Sequence, residues 1–534
     1  MRRLFAVLVL LSIAGALALP STSSGTHITN FDRESLSGLG VTFDRPTVVT
    51  FGPDGRLYVA EQEGRIRALS IDPSLNEITA VEQITAATDL QEVFGLAFDP
   101  TDASVPAPIY VTNTVSGVGD DGLGPLGEFP GRVTKIHGPG YNTITDIITG
   151  LPISRFTHQS NGLVFDSSGV LYIAQGSSTS AGIPHGSFSQ EEVPLSAAVL
   201  VADISAPGFD GNVTYDPPNT YSTTVDQISG DVSEYATGLR NPFDLIIHSN
   251  GRMYITDNGP SLGSGPSSTS CTTEGPHVWG PDELNIVEAG AYYGSPNRNR
   301  GRFDPAECVY RNGTLGSGPE WTGPIAELPT SSNGIIEYTS AAAGGKLLGD
   351  LFYVSFGTGV IGHIVLSDDG SSVVLHEEFD AGFIGPLGLA MGPDGSLYIA
   401  EWSGSQIVTL QAPDPPGLGD TDGDGCSDQR ENGLDETLGG QRHYLNPWDF
   451  YDVLGPGAAL PVDQVIDLPN DILGVILHFS PQGAPPYDVQ FDRGPATAAA
   501  GGGPNPWNMT APDGVIDLPN DILGVILQFQ HNCQ

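Results

Sequence analysis

The chain has 534 residues, with 63 acidic against 20 basic side chains and a net charge of −43 at pH 7. That length exceeds one small core and predicts two or more domains. The charge argues against nucleic acid and anionic membrane surfaces as partners, and it suits divalent cations or a salty medium. Lysine is confined to Lys135 and Lys346, so amine chemistry has few candidates.

At the N-terminus Arg2 and Arg3 precede an apolar run from Leu4 to Ala18 that ends in small residues before Pro20. This is the pattern of a secretory signal over residues 1–18, and it is short for a membrane span. The alternative is an uncleaved anchor. The mature protein is expected to be secreted or extracytoplasmic, with no membrane span after signal cleavage.

From residue 30 to 410 one phrase recurs. Phe51-Gly-Pro-Asp-Gly-Arg-Leu-Tyr-Val-Ala-Glu61 returns at Phe165–Ala174, at His248–Thr256 and at Met391–Glu401. Looser copies end in Ile109-Tyr-Val-Thr112 and Leu351-Phe-Tyr-Val354. Each copy reads as an apolar strand, a Gly- or Asn-bearing turn and a second strand alternating aromatic and β-branched residues. All-strand repeats predict propeller blades, and six copies predict six blades, with long insertions after the third to fifth copies. A β-sandwich is the competing architecture, but it does not repeat one hairpin phrase.

A proline-rich linker at 411–419 separates the propeller from a module at 420–534. Asp420-Thr-Asp-Gly-Asp-Gly-Cys-Ser-Asp-Gln-Arg-Glu431 matches a twelve-residue calcium loop. Asp420, Asp422 and Asp424 supply alternating carboxylates, Gly425 the sharp turn, Cys426 the seventh position, and Glu431 a bidentate close. Hard oxygen ligands favour Ca²⁺ over zinc or copper.

Val465–Leu477 is then repeated identically at Val515–Leu527, with Asn446-Pro-Trp448 and Asn505-Pro-Trp507 before the two copies. Pro469 and Pro519 fit helix starts, and Ile472, Val475, Ile476 and Phe479 would form one apolar stripe, as would Ile522, Val525, Ile526 and Phe529. The expected fold is therefore all-β, a six-bladed β-propeller followed by a small, mainly α-helical repeat module with a calcium loop. Four cysteines in an exported chain predict two disulfides. Cys271–Cys308 and Cys426–Cys533 is the favoured pairing, with the other two connectivities open.

The tail phrases resemble thrombospondin type 3 and dockerin-like modules, which implies structural calcium and a cohesin-like or cell-surface partner; a self-packed cap is the other reading. Within the propeller, Gly150-Leu-Pro with His158-Gln-Ser-Asn-Gly-Leu-Val-Phe165, Thr237-Gly-Leu-Arg-Asn-Pro-Phe243, and Asp282-Glu-Leu-Asn-Ile-Val-Glu288 with Gly290-Ala-Tyr-Tyr-Gly294 resemble the glucose/sorbosone dehydrogenase family over roughly residues 40–410. The resemblance implies a six-bladed propeller that oxidises an aldose with pyrroloquinoline quinone (PQQ) and calcium.

It implies that His158 is the general base, that Arg240 holds the cofactor with Asn241 beside it, and that the carbonyls of Gly259 and Pro260 contribute to calcium. Asp282, Glu283 and Tyr293 fall in a second calcium region. Four positions depart from the family pattern. Gly176-Ser177 stands where an acidic partner of the histidine is expected. Gly385 and Leu387 replace two cofactor-gripping arginines, Ser355–Gly359 replaces a basic stretch, and Gln91 or Glu92 only approximates an expected polar residue. The competing function is a non-catalytic propeller that binds a carbohydrate or protein and is displayed by the C-terminal module.

Overall fold

The computed structural model describes residues 31–73, 75–84, 90–118, 123–124, 128–154, 158–180, 190–218, 220–222, 224–260, 267–270, 273–275, 280–295, 322–340, 342, 347–367, 369–412, 422–431, 436–443, 446–454, 463–496, 507 and 509–533. The segment 1–18, Asp420, and Cys271 with Cys308 lie outside the described residues.

Among the described residues six four-stranded antiparallel sheets are present, one for each repeated phrase. Blade 1 runs Pro46–Phe51, Leu57–Glu61, Ile66–Asp72 and Glu77–Gln83; blade 2 begins with Gln91–Phe98, blade 3 with Ser160–Phe165, blade 4 with Pro242–Ile247, blade 5 with Ser332–Glu337 and blade 6 with Pro386–Met391. The phrase is the hairpin between the first two strands of a blade. In blade 1 Gly55 adopts φ +74° at the turn and donates to the Gly52 carbonyl at 2.9 Å; a left-handed residue here is what makes glycine recur.

The tyrosines of the phrase fill the space between blades. Tyr58 packs edge-on against Phe98 of the next blade and Tyr110 against Phe165, with centroids 4.9 Å apart in each pair. The first strands line a central channel that contains a cavity of about 320 Å³. Phe94, Leu163, Phe243 and Leu387 give it apolar walls. Asp244 also lines it, with its carboxyl pushed up to about 7 by burial.

The ring closes by strand exchange. Asp32–Ser35 pairs antiparallel with Gln406–Gln411 and becomes the outer strand of blade 6. Arg33 secures it, donating to the carbonyls of Ala381 and Gly382 and lying 3.8 Å over the Phe383 ring.

In the C-terminal part Cys426 and Cys533 are joined, as the sequence predicts. The two identical segments interlock: Ile516 exchanges backbone hydrogen bonds with Ser480, and Ile466 with Gln530 and His531. Of the expected mainly helical module, short helices in the two repeats are seen. Among the described residues, regular α-helix is limited to Asp428–Glu431, Leu473–Leu477 and Leu523–Leu527.

The expected apolar stripes are corrected. Ile472 and Val475 are buried, whereas Ile476 and Phe479 are 41 % and 43 % exposed, and Ile526 and Phe529 face outward likewise. Each repeat opens on a wide turn in which Ile472 donates to Asp467, and Ile522 to Asp517, five residues back. In the regular helix that follows, Leu473–Leu477, Val475 lies on the core side and Ile476 points outward, while Phe479 lies beyond the helix end.

Arg33→Ala is expected to lower propeller stability by about 1–3 kcal/mol, since it removes a ring contact and two charged hydrogen bonds. Urea unfolding followed by tryptophan fluorescence measures this; an unchanged midpoint would mean backbone pairing alone holds the closing strand.

Candidate functional site

In all six blades the pairing of the first two strands is irregular at the same end, between Pro46 and Val48, Gln91 and Gly95, Ser160 and Leu163, Pro242 and Asp244, Ser332 and Ile335, and Pro386 and Gly388. Bulges turn side chains out of the pleat, so this end forms a mouth rimmed by re-aimed residues. His158, Arg240 and Asn241 each lie just before or at the start of a first strand, and the fold brings all three to this mouth.

His158 is 3 % exposed, and its Nδ1 lies 3.0 Å from both the carbonyl and the Oγ of Ser177. Ser177 Oγ donates to the Thr179 carbonyl at 2.6 Å, so both Ser177 oxygens accept from the ring. This places the neutral proton on Nδ1 and makes Nε2 the basic nitrogen. Burial, and then the nearby Arg240 charge, hold the imidazole well below its usual pKa.

Arg240 is 5 % exposed. Its Nε donates to the Ser180 carbonyl at 2.8 Å, Nη2 to Ser180 Oγ at 3.0 Å and Nη1 to the Asn258 carbonyl at 3.2 Å. Its backbone N–H and that of Asn241 both donate to Asp257. Asn241 sits in an amide chain: Asn161 Nδ2 donates to its Oδ1, and its Nδ2 donates to Asn258 Oδ1, at 3.0 and 2.9 Å.

That chain continues to Asp282, which accepts from Asn258 Nδ2 and from the backbone N–H of Gly259 and Ser332. Gly259 is packed so tightly that an added Cβ would lie 2.3 Å from the Pro281 carbonyl oxygen, and the Pro260 carbonyl accepts from Gly280. Asp282 and Glu283 are both buried at the mouth end of their strand. Tyr293 is not gathered with them. Its hydroxyl donates to the Ile286 carbonyl and accepts from Glu288 N–H near the other end of that strand.

The departures are built into the packing. A Cβ at Gly176 would meet His158 Cβ at 2.6 Å, so no acidic side chain fits there without moving the histidine. Gly385 has φ +61°, and a Cβ would lie 2.4 Å from Ser403 Oγ and 2.9 Å from the Phe356 ring. Phe356 packs on Trp402 with centroids 5.9 Å apart, and Trp402 Nε1 donates to Gln62. Gln62 in turn donates to Glu92 at 2.8 Å, while Gln91 turns its amide to the Leu90 carbonyl. Gln62, Trp402 and the buried Glu192 belong to no motif; Trp402 and Gln62 meet across 340 residues, and the Glu192 partners lie in a Ser- and Thr-rich stretch without a recognisable pattern.

A second cluster lies in the C-terminal part. Ligand oxygens of Asp422, Asp424 and Glu431 all lie within 4.8 Å of one another, a separation that one ion with Ca–O bonds of about 2.4 Å can bridge. Gly423 and Gly425 take φ +81° and +98°, and Cys426 N–H donates to Asp424 at 2.8 Å. Glu431 is fully buried and, among the described residues, neither carboxylate oxygen has a hydrogen-bond donor. Burial and then Asp424, Asp449 and Asp422 push its carboxyl up to about 10. Asp449, from outside the loop, is also fully buried and pushed well above the carboxylate range by burial and Asp424.

Gly176→Ala is expected to cost about 1–3 kcal/mol through forced movement of His158, read as a lower melting temperature with a shifted histidine signal. A neutral result would show slack behind the imidazole.

No curated protein matches the chain. Among solved structures it resembles a Thermus thermophilus oxidoreductase described as a glucose dehydrogenase, at 20 % identity and a TM-score of 0.48, covering 71 % of this chain and 100 % of that one. It also resembles the PQQ-bound aldose sugar dehydrogenase of Streptomyces coelicolor, at 16 % identity and 0.46, covering 72 % and 99 %. The soluble aldose sugar dehydrogenase of Escherichia coli matches at 17 % and 0.48, covering 71 % and 99 %. The glucose/sorbosone dehydrogenase family model matches residues 43–408, the propeller almost from end to end, and the chain belongs to that family.

Proposed function

We propose that the propeller mouth oxidises an aldose or related alcohol, with a bound quinone as acceptor. The observation that carries this reading is the joint anchoring of His158 and Arg240 on the buried segment Ser177–Ser180. The residues fit the quinone end of PQQ: Arg240 and Asn241 offer a cation and an amide where charge would grow. They fit its carboxylates less well, because Gly385 has no room for a long cation and Leu387 lines the channel as an apolar wall.

When bound, the quinone supplies the hydride acceptor. His158 Nε2 receives the proton of the sugar C1 hydroxyl as the C1–H bond breaks, and Ser177 keeps the ring in the tautomer this requires. Arg240 stabilises the negative charge that develops beside it. Gly259 and Pro260 remain candidates for calcium at the mouth, and Asp282 and Glu283 for a structural ion.

In the C-terminal part Asp422, Asp424, the Cys426 carbonyl and Glu431 would hold calcium in a structural loop of the thrombospondin type 3 or dockerin kind, with Asp420 its first sequence position. The outward Leu473, Ile476 and Phe479 and their copies are the surface a cohesin-like partner would use. The signal-like N-terminus supports secretion, and no helix among the described residues is long and apolar enough to cross a membrane.

Calorimetric titration with PQQ and calcium, followed by dye reduction with aldoses, tests the enzyme. Weak PQQ binding, with Kd above about 1 µM, and turnover that falls about 10²- to 10⁴-fold in His158→Ala are expected. The rate should stay level through neutral pH and fall on an acid limb below 6.5, because the lowered His158 pKa keeps the base neutral until then. Absence of binding near about 100 µM PQQ would favour a propeller that only binds a glycan or protein, a reading supported by the closed packing of Gly385 on Phe356 and Ser403.

Calcium is expected to raise the melting temperature of the wild type. Glu431→Gln should weaken calcium binding about 10- to 100-fold; equal affinity in the variant would remove Glu431 from the site.

A further inference from the structure

We propose that Glu192 is the positioning residue for both His158 and Arg240, and that it supplies through Thr179 the carboxylate support that Gly176–Ser177 leaves out. The proposal rests on reading His158 as the base of the mouth.

Glu192 is 4 % exposed and accepts four hydrogen bonds, two at each oxygen. Oε1 receives the Thr179 N–H at 2.8 Å and the Thr179 hydroxyl at 2.6 Å. Oε2 receives the Ser178 N–H at 2.9 Å and the Ser196 hydroxyl at 2.7 Å. A carboxylate that is saturated by donors inside the protein fixes the backbone that presents them.

The fixed backbone is the segment that carries the two functional side chains. Thr179, held by nitrogen and hydroxyl, turns its carbonyl to Ser177 Oγ, which orients that oxygen as an acceptor for His158 Nδ1–H. Ser180, the next residue, offers its carbonyl and hydroxyl to the Arg240 guanidinium. Ser177 N–H donates to the Arg240 carbonyl at 2.8 Å, so the segment grips that residue by backbone as well. One carboxylate thus sets the tautomer of the imidazole and the plane of the guanidinium without touching either.

An acidic residue directly behind the histidine is sterically barred by the 2.6 Å approach at Gly176. Support from further back, relayed by Ser177 and Thr179, is the arrangement this packing allows. Replacing the carboxylate by an amide of the same shape turns a donor toward donors that one of its oxygens served, so the segment must shift.

Selective ¹⁵N-histidine labelling of the full-length protein tests this, with His158→Gln assigning the signal among the 11 histidines. The wild type is expected to show one neutral His158 tautomer, protonated at Nδ1. Glu192→Gln should give a mixture of tautomers, with kcat for sugar oxidation lower by about 10-fold or more and KM changed by less than about threefold. Thr179→Val, which removes the hydroxyl bond to Glu192 Oε1 and leaves both Ser177 oxygens in place, should move the tautomer ratio in the same direction and decides the matter if Glu192→Gln does not fold. A single Nδ1–H tautomer retained in the variants, with a lower melting temperature only, would overturn the proposal by making Glu192 a structural brace. If the wild type shows no turnover, the dehydrogenase reading fails while the tautomer measurement still decides the role of Glu192.

Discussion

The mouth depends on one recurring hydrogen bond, between a polar side chain at the end of each second strand and the backbone leading into or opening the first strand of the same blade. Thr114 donates to the Gln91 carbonyl, Gln175 to those of Pro152 and Gln159, and Ser355 to that of Thr330. Asp257 accepts from Arg240 and Asn241, and Glu401 from Ile384. In blade 1 Glu61 acts through Arg67, which reaches the Thr42 carbonyl. Irregular backbone at a closed ring's mouth cannot reach enough water, so its polar groups need internal partners. The blade repeat supplies those partners at a fixed position and leaves the preceding residues to vary.

That separation explains how the propeller can keep its scaffold while its mouth changes. His158, Arg240 and Asn241 are carried on segments fixed by the common bond, yet Gly385 closes against Phe356 and Ser403 where a cation is expected from the family. Negative charge is abundant on this chain, and an anionic cofactor must overcome it with few cationic contacts. Asp257, Asp282, Glu192 and Glu401 each accept from backbone N–H groups, which stabilises their charge locally.

The blade count and the hairpins were legible because both follow from local chemistry: alternating apolar residues recur at each copy, and a left-handed turn glycine in five of the six. The Cys426–Cys533 bond was legible for the same reason, since each cysteine sits in the same small module. His158 and Arg240 could be singled out through their short phrases. Their support could not, because Glu192 reaches them through Thr179 and Ser180, whose serine- and threonine-rich stretch looks like any loop. The tail misled in a different way. Its apolar spacing fits an ideal helix, but regular helix stops at Leu477, before Phe479, and the core takes the side of Ile472 and Val475 rather than the whole stripe.

The closing strand has a kinetic side. Ser35 meets Gln406 across 371 residues of chain, so the earliest described strand has no partner until nearly all of the propeller has been made. Closing a loop of that length costs about 5 kcal/mol in chain entropy, recovered only when blade 6 is complete. Until then Gln406–Gln411 presents an unpaired edge to any neighbouring chain. Assembly of this ring is therefore a late, all-or-none event, and a chain interrupted shortly before residue 411 would be left open at both ends and prone to joining another copy.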